Sequence, residues 1–312
     1  MAWWLTQHLA TVAAAAALVH LTTRLLRASP GVRHLLWTIV LIKLVMPPVF
    51  AWPWSIKPAG ASSYTVAYPI PATDVGPYSA SGSPGATFTP RSTPGPRVER
   101  PATPAAAAVA ARDWRTWAWL VWLVGSCAFV LLHGGRAWRM RRLLRRARPA
   151  GAHLVRRIEA VATEMSMDPV EIRLASIPSP LVWGGLRPMI LWPEALPRSV
   201  HAQAIDGLLA HELAHVKRRD HWIGWLELAA GCAWWWNPLF WHVRRQVRAN
   251  AELACDAWAA EVAPDGRRHF AEALLAFSGG SPSLPAPIPA IGVRSGHRRL
   301  MERRLAMIMR AH

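Results

Sequence analysis

Cysteine is scarce in this chain. There are three in 312 residues (Cys127, Cys232 and Cys255), all in apolar or helical contexts and without CxxC spacing, so a disulfide framework is excluded. Acidic residues are also few, 18 against 36 Lys+Arg, which leaves a net charge of +18. Charged residues of either sign make up only 17% of the chain, and its apolar runs are long, which rules out disorder throughout. What the sequence has in quantity is hydrophobic residues, 52%, with 19 Trp. That mixture does not suit one water-soluble globule. Two readings of the charge remain: a nucleic-acid binder, or a membrane protein whose arginines lie on one side of the bilayer.

Position along the chain separates them. Residues 3–23 contain no formally charged side chain, and as a helix at about 1.5 Å per residue they span the roughly 30 Å hydrocarbon core. Arg24, Arg27 and Arg33 follow this run rather than precede it. That is the wrong order for a cleavable signal peptide and the right one for an anchor with its arginine loop inside. Residues 35–54 form a second candidate, interrupted by Lys43 and the Pro47-Pro48 pair. Together 1–56 read as two transmembrane helices, 57–112 as a flexible external linker rich in Pro, Ser and Ala, and 113–135 as a third transmembrane helix. Trp3, Trp4, Trp52, Trp54, Trp114 and Trp117 mark the outer ends of these spans, and arginine clusters mark the inner ends. The Arg-rich stretch 136–148 directly follows an apolar run. We read it as orienting that span against anionic lipid. No helix-turn-helix or zinc-finger spacing accompanies it, so no direct nucleic-acid partner is expected. The remainder, 136–312, is then a cytoplasmic domain.

Within that domain, His153 to Met165 reads as a helix, VEIRLAS (170–176) and RPMILWP (187–193) as short strands, and the chain from Ser199 as helical, with breaks at Asn237-Pro238 and Pro264-Asp265-Gly266. Residues 222–241 are apolar, but Glu227 and the Asn-Pro break suit a helix on or partly in the bilayer better than a fourth span. The expected fold is a mainly α membrane protein: N-terminal transmembrane helices plus an α+β domain with a small sheet.

The chemistry is concentrated in LLAHELAHVKRRDH, 208–221. His211 and His215 are four apart, so on a helix both imidazoles can reach one metal ion. Glu212 can reach a water on that ion without being a ligand. The ion lowers the water's pKa towards ~7, and the carboxylate takes the proton and later delivers it to the leaving amine. A catalytic zinc needs a third protein ligand. His221 has the metzincin spacing from His211 but lacks the glycine of the intervening tight turn, where this chain has Arg218. Glu252 is the better candidate, with Asp256 one helical turn later to accept the free N–H of a ligating histidine. Asp220 is a further supporting carboxylate. His269 and nearby arginines can serve as oxyanion stabilisers, and the RPMILWP strand can receive an extended substrate by sheet addition.

HELAHVKRRD (211–220), WWWNPLFWHVRRQVRANAELACD (234–256), IPSPLVWGGLRPMILWPEAL (177–196) and RRLMERRLAMI (298–308) together resemble the BlaR/MecR family of membrane metallopeptidases, transducers that respond to β-lactams and inactivate a transcriptional repressor. The resemblance implies a zincin-like α+β metallopeptidase domain with a small sheet and an HExxH helix behind the N-terminal transmembrane helices, His211, His215 and Glu252 as zinc ligands, Glu212 as general base, Zn2+ as cofactor, and a cell-membrane location with the peptidase on the cytoplasmic side. The substrate it implies is a cytoplasmic protein: a repressor of the BlaI/MecI type, or the peptidase chain itself. Antibiotic receptors of this family continue into a further transmembrane helix and a penicillin-binding sensor. No such domain follows ERRLAMIM here, and 57–112 has no SxxK acylation motif. The expected partners are therefore membrane lipid, the protein substrate and a separate sensor protein. The alternative is a non-proteolytic signalling or scaffold subunit with a structural zinc site.

Overall fold

The computed structural model of the protein describes residues 2–46, 104–185, 187–196, 200–278, 291–292 and 298–310. In chain order the elements are α1 (Ala2–Leu25), α2 (Pro30–Val45), α3 (Pro104–Arg146), β1 (Arg148–Pro149), α4 (Ala152–Glu164), β2 (Glu171–Ala175), β3 (Leu181–Trp183), β4 (Met189–Pro193), α5 (Ala204–Lys217), α6 (Asp220–Trp234), α7 (Pro238–Val262), α8 (Arg267–Ser278), β5 (Ile291–Gly292) and α9 (Arg298–Arg310). Residues 1–49 and 119–312 make one compact unit. Of the second, 50–118, only the stretch from Pro104 is described, as helix. Pro47-Pro48, Trp52, Trp54 and most of the expected linker lie outside the described residues.

Among the described residues two helical stretches are long and apolar enough to cross a membrane, Leu5–Leu25 and Thr116–Arg146. The second belongs to a 43-residue helix that starts ahead of the expected span and runs on through the arginines. The second expected span differs more. α2 has 16 residues and ends where Met46 turns extended, just ahead of the proline pair. It buries His34, Trp37, Val40, Leu41 and Leu44 against α1, α6 and α7, while Leu35, Ile39 and Ile42 stay exposed on its other face.

The sheet has strand order β1-β2-β4-β3-β5. β2 and β4 are parallel, and the other pairs antiparallel. Side chains alternate between its faces as a strand requires. Ile172, Val182, Ile190 and Trp192 enter the core shared with α4, α5, α7, α8 and α9, whereas Ala175, Leu181 and Leu191 meet Met140, Leu143 and Leu144 of α3 on the opposite side. The arginine-rich end of α3 is thus an amphipathic segment docked by its apolar stripe. β4, the RPMILWP strand, lies between β2 and β3 with both edges paired, so it has no free edge for an extended substrate. Its nearly unbroken burial is that of a central strand covered on both faces.

α3 meets α6 through small residues. A Cβ added at Gly125 would fall 2.0 Å from Trp235 Cζ2, and one at Gly231 would fall 2.3 Å from Phe129 Cζ. Across this crossing Ser126 Oγ donates to the Cys232 carbonyl (2.7 Å) and Trp122 Nε1 to that of Ala233 (3.0 Å). Close approach through glycine, reinforced by hydrogen bonds, is how helices associate where lipid supplies no hydrophobic drive. Gly125→Ala is expected to lower stability by about 1–3 kcal/mol through overpacking. Unfolding of the detergent-solubilised chain measures it, and an unchanged midpoint would contradict so tight a crossing.

Two cores share one helix. Phe240, Val243 and Val247 of α7 pack with α1, α2 and α6, while Cys255 and Ala259 further along it pack with α5, α8 and the sheet. α7 begins as its sequence indicates, with Asn237 accepting from Leu239 N (2.9 Å) and Pro238 at the first helical position. Glu252, itself buried, lies between the residues that α7 gives to the two cores.

Candidate metal centre

α5 is buried from Gly207 through His215, so the polar residues of HELAH reach the interior only because each is given something to do. His211 and His215 project from adjacent turns with their rings nearly perpendicular, centroids 4.9 Å apart. His211 Nδ1 lies 3.0 Å from Asp256 Oδ1, and His215 Nδ1 lies 2.9 Å from Asp220 Oδ2. Each imidazole is therefore held from behind by a carboxylate, the arrangement that fixes a ligating histidine's tautomer. Both Nε2 atoms turn towards Glu252, at 3.7 Å from Oε2 and 3.8 Å from Oε1.

These spacings suit a metal better than hydrogen bonds. A tetrahedral ion with ligand bonds of about 2.0–2.2 Å keeps its donors roughly 3.3–3.6 Å apart. Among the described residues His211 Nε2, His215 Nε2 and both Glu212 oxygens are buried without a hydrogen-bond partner. Orphaned buried polar atoms are costly, and a divalent cation held by His211, His215 and Glu252 satisfies three residues at once. A second grouping, His215, Asp220 and Cys255, reaches His215 through Nδ1, with Cys255 Sγ at 3.3 Å. It is the packing behind a ligand of the first.

The electrostatics separate the roles. Burial raises the Glu212 pKa to about 7, against the opposing pull of His211 and His215. Burial would raise Asp256 too, but Arg304 overrides it and holds that carboxyl at about 2. Glu252 is lowered for the same reason, burial opposing and Arg304 prevailing. Arg304, on α9, is fully buried. Its Nε and Nη2 donate to Asp256 at 2.6 and 2.7 Å, and its Nη1 lies 3.0 Å from Glu252 Oε2. Burial depresses His211, but the neighbouring carboxylates of Asp256 and Glu252 raise it to about 9.

Every residue expected at the site is accounted for. His211, Glu212, His215, Glu252, Asp256 and Asp220 are brought together. His221 is buried on α6, outside the metal grouping. The tight turn after the second histidine does exist, but Arg219 makes it (φ 58°, ψ 33°) while Arg218 stays right-handed. The lack of a glycine therefore did not prevent the turn. His269 stacks on His201 with centroids 4.4 Å apart. Arg304 was missed. The signal for it was an arginine at a core position of an amphipathic helix, in register with Met301 and Ile308, opposite two carboxylates in need of a counter-ion.

A family model described as BlaR1 peptidase M56 matches residues 3–308. Regulatory protein BlaR1 of Bacillus licheniformis is 26% identical over 134 residues, 42% of this chain and 22% of that protein. Methicillin resistance mecR1 proteins of Staphylococcus aureus and Staphylococcus epidermidis are 23% identical over 133 residues, with the same coverage. The match thus spans about a fifth of the length of these curated relatives.

Proposed function

This chain belongs to the BlaR1 peptidase M56 family, and from that premise we propose that it is a membrane-anchored zinc endopeptidase of the gluzincin type, acting on a cytoplasmic protein in signal transduction. The observation that carries the reading is the convergence of the unpartnered Nε2 atoms of His211 and His215 on the Glu252 carboxylate, beside a buried, unpartnered Glu212 that is not one of the grouped donors. Zinc held there by His211, His215 and Glu252 would supply the Lewis acidity that hydrolysis needs. Glu212 takes the water's proton on its carboxylate and returns it to the leaving amine, a transfer for which a pKa near the working pH is well matched. Asp256 and Asp220 keep the two imidazoles turned inward, and Arg304 keeps Asp256 and Glu252 ionised.

In this reading the N-terminus faces outward, the arginines after α1 and along the end of α3 lie inside, and the site is cytoplasmic. The relatives' printed names point to regulation and antibiotic resistance. The substrate proposed here is a repressor of the BlaI/MecI type, or the chain itself. The test uses the full chain in detergent with a repressor encoded beside it. Fragments should form after zinc is restored to chelated protein and not before. Cleavage that survives chelation, or never occurs with zinc present, removes the proposal.

A further inference from the structure

We propose that His34, on α2, is a positioning residue that acts through Asp220 on the imidazole of His215, so that the seating of the N-terminal helix is read at the metal centre. The inference rests on the metal-site reading above.

Asp220 is the first residue of α6 and almost wholly buried. One of its oxygens, Oδ2, is engaged by His215 Nδ1 at 2.9 Å and by Arg218 Nε at 3.3 Å. The other, Oδ1, faces His34 Nε2 at 3.7 Å. Neither Asp220 Oδ1 nor His34 Nε2 has a hydrogen-bond partner among the described residues, and both are buried. Their separation is about 0.7 Å beyond an ordinary N–H···O bond, so a small shift of α2 makes or breaks it. A carboxylate is rigid and planar. Drawing Oδ1 towards His34 rotates Oδ2 under the His215 N–H, and the free ring nitrogen of His215 turns with it.

α2 is built to transmit such a shift. Its far end is tied down at the Leu44 carbonyl, which accepts from Trp234 Nε1 of α6 (3.0 Å) and lies 3.3 Å from His8 Nε2 of α1. Its first turn approaches the same cluster, since a Cβ at Gly31 would stand 4.0 Å from Arg218 Nη1. The helix that buries His34 on one face presents Leu35, Ile39 and Ile42 outward on the other. Whatever contacts that outer face is thus one helix width and one carboxylate away from a metal ligand.

The experiment compares the wild-type full chain in detergent with His34→Leu, His34→Gln and Leu35→Ala, using Co2+ alone as the probe. It reads the Co2+ dissociation constant and the visible d–d spectrum. Removing a partner hydrogen-bonded directly to a ligating histidine typically costs 10–100-fold in metal affinity. One step further out, His34→Leu should weaken binding by about 3- to 10-fold and shift the d–d bands. His34→Gln, whose amide can donate to Oδ1, should recover at least part of both, and Leu35→Ala on the exposed face should change neither. Wild-type affinity and spectrum in His34→Leu would overturn the coupling alone, as would an equal change in Leu35→Ala. Wild type that takes up no Co2+ would overturn the metal-site reading and this inference with it. Should His34→Leu fail to fold, His34→Ala replaces it under the same criteria.

Discussion

Glu212→Gln is expected to lower the rate of peptide hydrolysis by about 10²–10⁴-fold, the usual worth of a positioned general base, without loss of bound metal. The amide keeps the shape of the side chain, and Glu212 is not one of the three grouped donors, so the metal site should stay intact. What disappears is the proton acceptor. Both Glu212 oxygens are buried and unpartnered among the described residues. The pH profile follows from the same group. The base must be ionised, so activity falls as the medium is acidified through the Glu212 pKa, about 7 before any metal charge acts on it. A bound cation favours the carboxylate and moves that limb to lower pH. Gel analysis of fragments alongside elemental analysis of the purified variant tests both halves. Cleavage by Glu212→Gln at the wild-type rate would remove Glu212 from the mechanism, and loss of metal would mean it holds the ion in place.

Arg304→Met should be the most destabilising single change in the domain, by about 3–5 kcal/mol, because it leaves buried carboxylates without their cation. For a domain of this size that is on the order of 10 °C in the unfolding midpoint. Arg304 reaches both carboxylates through a planar fork, with two hydrogen bonds to Asp256 and an ion pair with Glu252 among its contacts. A lysine offers one point charge in its place, so Arg304→Lys should fall between the two. The pH dependence has a definite sign. Asp256 has a folded pKa of about 2, below its ordinary 3.8. Its ionised form therefore contributes stability in full above about pH 4, and that contribution is lost as pH falls through 2. Without Arg304 the carboxylates are free to protonate. The deficit of the variant should be widest near neutrality and narrow towards pH 4. Thermal unfolding of metal-free protein across that range checks this, and a wild-type midpoint at pH 7 would show that Arg304 is not the counter-ion.

The site was largely legible from spacing. Two histidines four apart share a helix face by geometry, and Glu252 and Asp256 stand in the same relation on α7. The β2 and β4 strands and the helix α4 also stood out, since each is long enough to show its period. β3 did not: three residues between Pro180 and Gly184 display no pattern. Arg304 was hidden among neighbouring arginines, because composition does not reveal which of several like charges points inward. His34 was hidden for a different reason. It belongs to a segment read as lipid-exposed, and its partner lies 186 positions away, a pairing that only the docking of α2 on α6 and α7 creates. α2, read as the start of a longer span, is helical through Val45, and the rest of that expected span lies outside the described residues.

α7 carries a consequence for how this protein loses activity. It is anchored at one end among α1, α2 and α6 and at the other against α5 and the sheet, and its glutamate donor falls where one anchorage gives way to the other. The two histidines ride on α5 and belong to only one side. A slip of one core against the other need not melt a helix to pull Glu252 away from His211 and His215. Warming, or solubilisation in an ill-matched detergent, should therefore release the proposed metal and end the proposed hydrolysis while the helical content is still whole.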